Sequence, residues 1–278
     1  MTTVRYPGAP PAVMHDTLIL KLVLAPLLIA AASLAGRRWG PAVGGWFVGL
    51  PLTSGPIALF LALDHGTGFA AAAAVGSLAG ALAEAVFCVA YGAMARRGWP
   101  VALGAATLGF VLVAALLQRA VLPLGVTAVC AFAALAVAFP LMPRRRAAAP
   151  PPPPPAWDLP ARMVITTALV LLITGAASAL GPRLSGVLAT FPVYAAILTI
   201  FAHRASAAAA VQVLRGLLLG LLAFAGFFVV LGATIEPLGV AIGFALATAA
   251  ALAIQGASLA LVLATPESGR LGRILSRR

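Results

Sequence analysis

The chain is a succession of apolar runs of about 20 residues, and all of its charges except Lys21, Glu84 and Arg215 lie outside them. A helix needs roughly that length of apolar sequence to cross the hydrocarbon of a bilayer. Reading from charge to charge gives nine such runs, at 17–36, 39–63, 69–94, 99–118, 121–142, 163–181, 184–202, 209–234 and 237–263. Hydrophobic residues make up 63% of the 278 and charged ones 9%, against roughly 45–50% and 25% in an ordinary soluble domain. So few charges do not cover a water-soluble surface. The expected fold is an all-α polytopic membrane protein of about nine transmembrane helices.

The net charge of +12 does not point to nucleic acid. Its arginines lie between apolar runs, with no basic stripe and no aromatic platform beside them. With loops numbered from the N-terminus, the odd loops hold Arg37 and Arg38, Arg96 and Arg97, Arg144, Arg145, Arg146 and Arg162, and Arg204. The C-terminal tail falls on that side with Arg270, Arg273, Arg277 and Arg278, whereas the even loops hold only Arg119 and Arg183 beside Asp64 and Glu236. Basic loops face the cytoplasm. Nine spans therefore place the N-terminus outside and the C-terminus inside, and Trp39, Trp99 and Trp157 fall at cytoplasmic loop edges. The first run lacks a cleavage pattern and reads as a retained helix. Arginine outnumbers lysine 17 to 1, asparagine is absent and alanine abounds. That composition fits a GC-rich bacterial genome and hence a bacterial inner membrane. Cys88 and Cys130 each lie in an apolar run, and no Cys/His spacing suggests a metal or a disulfide framework.

An internal repeat organises the runs. Gly40, Pro41, Gly45 and Pro51 recur as Gly181, Pro182, Gly186 and Pro192, at an offset of 141. The following run repeats at an offset of 140. There Gly76, Gly80, Leu82, Ala83, Ala85, Phe87, Val89, Gly92 and Ala93 meet Gly216, Gly220, Leu222, Ala223, Ala225, Phe227, Val229, Gly232 and Ala233. Four spans thus correspond to the last four, and one intervening span inverts the second copy. The expected domains are a first membrane repeat (1–118), a connecting span (119–142), an Arg/Pro-rich cytoplasmic linker (143–160), a second membrane repeat (161–265) and a basic tail (266–278). Pro150 to Pro155 in the linker form a polyproline spacer of about 19 Å.

The second run holds Pro51, Thr53, Ser54, Gly55 and Pro56 in mid-span. Proline removes an amide donor and clashes with the preceding turn, so Pro51 and Pro56 should break the helix. The matching stretch carries Thr190, Pro192 and Tyr194. Lipid supplies no partners for the freed carbonyls, so such breaks line protein or a water-filled cavity. Paired interruptions in two halves point to a transport site near the midplane, with Thr53, Ser54, Thr190 and Tyr194 as candidate ligands. The alternative is a pair of ordinary kinks.

Glu84 is the acid deepest within a run, where a carboxylate costs about 2.5–3.5 kcal/mol on insertion scales. At about 1.5 Å per residue it lies roughly 15 Å from the cytoplasmic end of its helix, and Arg215 roughly 9 Å from the same end of its own. A Glu84–Arg215 pair is the expected neutralisation, with Arg215 snorkelling to headgroups as the alternative. Gly76/Gly80 and Gly216/Gly220 form GxxxG in both copies, which serves close helix packing or a homodimer seam. His65 and His203 sit at span ends on opposite sides, so they do not share a metal.

Enzymatic signatures are missing: there is no HExxH, no GxSxG, no aspartate pair within a span and no Walker A loop. No cofactor is expected. The pattern fits a secondary transporter that moves a small solute or ion by alternating access, with the proton as a candidate coupling ion. A channel, a lipid translocase and a scaffold subunit are the other classes it admits.

Overall fold

The computed structural model describes residues 22, 23, 26, 27, 30, 46, 48–52, 54–120, 122–143 and 155–263. Most of the first expected span, Thr53, the arginines of 144–146, Pro150 to Pro154 and the tail of 266–278 lie outside the described residues. Among those described, regular structure is helical throughout, with no strand. The helices are α1 (Ser54–His65), α2 (Thr67–Met94), α3 (Trp99–Arg119), α4 (Leu124–Leu141), α5 (Asp158–Leu180), α6 (Pro182–Ala189), α7 (Val193–Ala205) and α8 (Ala207–Leu263). A short 3-10 turn, Ala95–Arg97, follows α2. Five helices are long and apolar enough to cross a membrane: α2, α3, α4, α5 and α8.

The junctions are short because glycine makes them. Among the described residues, the four with positive φ are all glycines, at 66, 98, 181 and 239, and each joins two helical segments. Gly239 matters most. Its φ of 78° and ψ of 175° interrupt α8, two residues after Pro237, whose ring already weakens the ladder. The chain reverses there: Phe227 packs on Phe244 at 5.9 Å, and Gly226 and Gly243 lie against Ile254 and Ile235. The two arms of α8 therefore run antiparallel, as the separate runs at 209–234 and 237–263 anticipated. At the other junction the linker expected up to residue 160 gives way to helix at Asp158, an acid in the first turn of α5, where the helix dipole favours it.

Packing sorts the helices into a centre and a surround. In α2, Ala70, Ala74, Leu78, Ala81, Ala85, Cys88 and Tyr91 are buried, against Leu214, Leu217, Leu221, Phe224 and Phe228 from the first arm of α8. In α3 the stripe Ala102, Ala106, Phe110, Ala114 is buried, while Leu108, Leu112 and Leu116 on another face are exposed, Leu116 by 69%. α4 behaves alike, burying Ala128, Ala131, Leu135 and Ala138 and exposing Val126, Val129 and Val137. A soluble helix puts polar residues on its outer face. Here the outer faces are more apolar and bulkier than the inner ones, the arrangement that lipid requires.

Residues from different junctions meet in two groups. In one, the guanidinium of Arg183 reaches the carbonyls of Ala120 and Leu122, at 3.5 Å each, and Gly68 lies beside Glu236. In the other, Tyr91 bonds His203 at 2.9 Å, Gly92 abuts Met142 and Pro143, and Trp157 packs on Phe201 at 5.4 Å.

Candidate functional site

The site grows from two helix interruptions built the same way. Around Pro51 the chain passes from helix at Val48 through a turn and a bend to α1, with Leu52 N–H donating to the Leu50 carbonyl (2.7 Å) and Gly55 N–H to that of Pro51 (2.8 Å). Around Pro192, between α6 and α7, Val193 N–H donates to the Phe191 carbonyl and Ala196 N–H to that of Pro192, both at 2.8 Å. Each is a tight three-residue turn centred on proline, followed by the first bond of a new helix, and the two patterns differ by 141 positions. Pro56, expected to break the span together with Pro51, instead occupies the first turn of α1. The amides there have no intrahelical acceptor to lose, so the interruption belongs to Pro51 alone.

Glycine lets the interruptions lie against the central helices. Gly80 of α2 sits under the side chain of Thr190, and Gly76 under the backbone of Arg183. Gly220 of α8 sits under the Trp46 carbonyl and the backbone of Gly49. Thr190 and Gly49 differ by 141 positions, Gly220 and Gly80 by 140, so the two contacts correspond. At Gly76, Gly80 and Gly220 these glycine faces meet segments of their own chain.

The two interruptions touch. Ser54 Oγ donates to the Ala189 carbonyl at 2.8 Å, across 135 residues of sequence, and satisfies an acceptor left free at the end of α6. Thr190 Oγ1 turns back to the Val187 carbonyl at 2.6 Å. Between them lies a cavity lined by Leu50, Ser54, Glu84, Thr190, Phe191 and Pro192, with Leu221 and Phe224 from α8. Water centres can occupy about 40 Å³ of it, room for about three molecules at roughly 10–15 Å³ each. Glu84 is 5% exposed, and its side chain makes no hydrogen bond or ion pair among the described residues. Its carboxyl group is the one ionisable group among the lining residues.

The expected Glu84–Arg215 pair does not form. Arg215 donates to the carbonyls of Phe139 (3.4 Å) and Met142 (3.1 Å), and its guanidinium lies 4.4 Å from the centre of the Phe139 ring. Carbonyls at the end of a helix lack intrahelical donors and carry the negative pole of its dipole, so they accept the guanidinium there without the carboxylate of Glu84. Charge-assisted hydrogen bonds are worth roughly 1.5–3 kcal/mol. Arg215→Met is therefore expected to destabilise the protein by about that amount in thermal unfolding while leaving solute exchange through the cavity intact.

Of the remaining candidates, Ser54 and Thr190 are brought to the cavity, Thr53 lies outside the described residues, and Tyr194 stands in the first turn of α7. His203, at a span end in the sequence reading, is partly buried against Tyr91. The rings of Phe191 and Phe224 carried no signal in the sequence beyond hydrophobicity, although Phe224 lies 140 positions from Glu84. A buried polar cluster was missed as well: Trp46 Nε1 donates to Ser258 Oγ (2.8 Å), and Gln255 Nε2 to the Trp46 carbonyl (3.0 Å).

No protein family, no curated protein and no solved structure matches this chain. Among the described residues, no group of three or more His, Cys, Asp or Glu side chains could hold a metal ion. Function is argued from the geometry.

Proposed function

We propose that the chain is a secondary transporter, not an enzyme, that moves a small solute by alternating access across a bacterial inner membrane. The observation that carries this reading is the meeting of two proline-centred helix interruptions around a cavity that holds an unpartnered carboxylate. Interrupted helices of this kind place backbone and side-chain ligands at the depth where a solute must be held.

The internal order of the carrier is two inverted four-span repeats joined by one span. The recurrence of the turn geometry at an offset of 141 supports it, as do the corresponding contacts Gly80–Thr190 and Gly220–Gly49. The nine-span topology, with its N-terminus outside and C-terminus in the cytoplasm, has support from the grouping of junctions. Ala120, Leu122, Arg183, Gly68 and Glu236 belong to junctions assigned to the outside, and Tyr91, His203, Met142, Trp157 and Phe201 to the inside. In this scheme the repeats rock about the cavity, and Ser54, Thr190 and Glu84 hold the solute while its access changes sides.

Counterflow tests the proposal. Purified protein is placed in vesicles loaded with an unlabelled solute from a panel of small ions, amines, acids and sugars, and uptake of the labelled form is followed. A carrier accelerates label entry when the trans side is loaded, because the loaded site returns faster or more often than the empty one. A channel gives flux without trans-stimulation, and a lipid translocase moves labelled phospholipid between leaflets. Either result would replace the carrier reading.

A further inference from the structure

Resting on that carrier reading, we infer that the cavity takes a small organic monovalent cation and exchanges it for one proton on Glu84. Three observations lead there. Glu84 brings the one charge among the lining residues, and its carboxylate has no partner among the described residues. The cation expected to neutralise it, Arg215, is held at the end of α4. An anionic solute would meet an uncompensated negative charge in a low-dielectric site, whereas a cation completes it.

The rest of the lining selects the kind of cation. A hard metal ion needs about six oxygen ligands or more. Here the lining side chains offer only one carboxylate and the hydroxyls of Ser54 and Thr190 as oxygen ligands, whereas Leu50, Phe191, Leu221 and Phe224 supply apolar and aromatic surface. Aromatic rings beside a carboxylate favour alkylammonium groups, whose charge is spread over an apolar body. The cavity is small, so the body is small.

The coupling follows from the count of acids. One carboxylate holds either a proton or an organic cation, so loading one releases the other, and one charge crosses in each direction. Other titratable or charged groups stand on the elements around Glu84: Cys88 one turn along α2, Tyr91 with His203, Arg183 on α6, Arg215 on α8, and Asp64 and His65 at the end of α1. None of them lines the cavity.

The test uses the full chain in vesicles and radiolabelled tetramethylammonium, the smallest quaternary ammonium, which has no proton to shed and so cannot leak across as a neutral amine. An outward proton gradient should drive its accumulation. A membrane potential of about 100 mV, either sign, should leave that accumulation unchanged, whereas net movement of one charge would alter it about 50-fold. Glu84→Gln, checked by gel filtration, should lose the proton-driven uptake. Should that variant fail to fold, the response of the parent protein to potential decides alone. Accumulation that follows potential overturns one-for-one exchange, and uptake retained in Glu84→Gln overturns the role of the acid. If tetramethylammonium is not carried while sodium, a neutral solute or an anion shows counterflow, the substrate class is wrong and the carrier stands. If nothing in the panel shows counterflow, both fall.

Discussion

Replacing Glu84 with methionine is expected to give a protein that is more stable than its parent and unable to exchange solute. A carboxyl group inside a membrane helix costs about 2.5–3.5 kcal/mol, and this one is 5% exposed with no bond to offset the cost among the described residues. Methionine is similar in length, unbranched and apolar, so it fills the same space without a cavity or a strained rotamer. The gain should be about 2–3 kcal/mol, read as a rise in Tm in detergent together with a higher denaturant midpoint. Stability gained where activity is lost marks a group kept for function. A Tm that stays level or falls would show that the carboxyl holds the fold, and the transport role would lose its main support.

The second large effect is steric. Gly220→Ala is expected to cost about 3 kcal/mol, the upper end for overpacking. The added methyl group would lie 2.8 Å from Gly49 Cα and 3.2 Å from its nitrogen, and closer still to the Trp46 carbonyl. These are backbone atoms, and no side-chain rotation relieves the contact. Gly104 on α3 is the control, because a methyl group there meets nothing within 4 Å. Gly104→Ala should stabilise by roughly 0.5–1 kcal/mol, as removal of a helical glycine does. Equal effects at the two sites, read by thermal unfolding and recovery of monodisperse protein, would contradict the packing described.

What the sequence revealed and what it withheld follow from the range of the interactions. Apolar run length and the punctuation of Pro51 and Pro192 act on the residues beside them, so membrane-spanning helices and both interruptions were legible in the sequence, whereas the break at Gly239 was not singled out there. Glu84 was legible too, because an acid in an apolar run is rare for energetic reasons. The fate of Arg215 was not. Among its partners, Phe139 and Met142 lie 76 and 73 positions away, and only the packing of α8 on α4 brings the guanidinium to that helix end. Nor does hydrophobicity distinguish Phe191 and Phe224, which line the cavity, from Phe228, which is core. The contact of His203 with Tyr91 was not legible for a similar reason, since the two lie 112 positions apart.

The central helices are longer than those around them. α2 has 28 residues and the first arm of α8 runs from Ala207 to the break at Gly239, whereas α3 has 21 and α4 has 18. At 1.5 Å per residue α2 extends about 42 Å and α4 about 27 Å, against a hydrocarbon layer of about 30 Å. The lipid-facing helices match the layer, so the inner pair must lean or protrude. Their inclination is then set by bilayer thickness as well as by contacts within the protein. Glu84 rides on one of that pair, and acyl chains a few carbons longer or shorter would change the depth at which it sits.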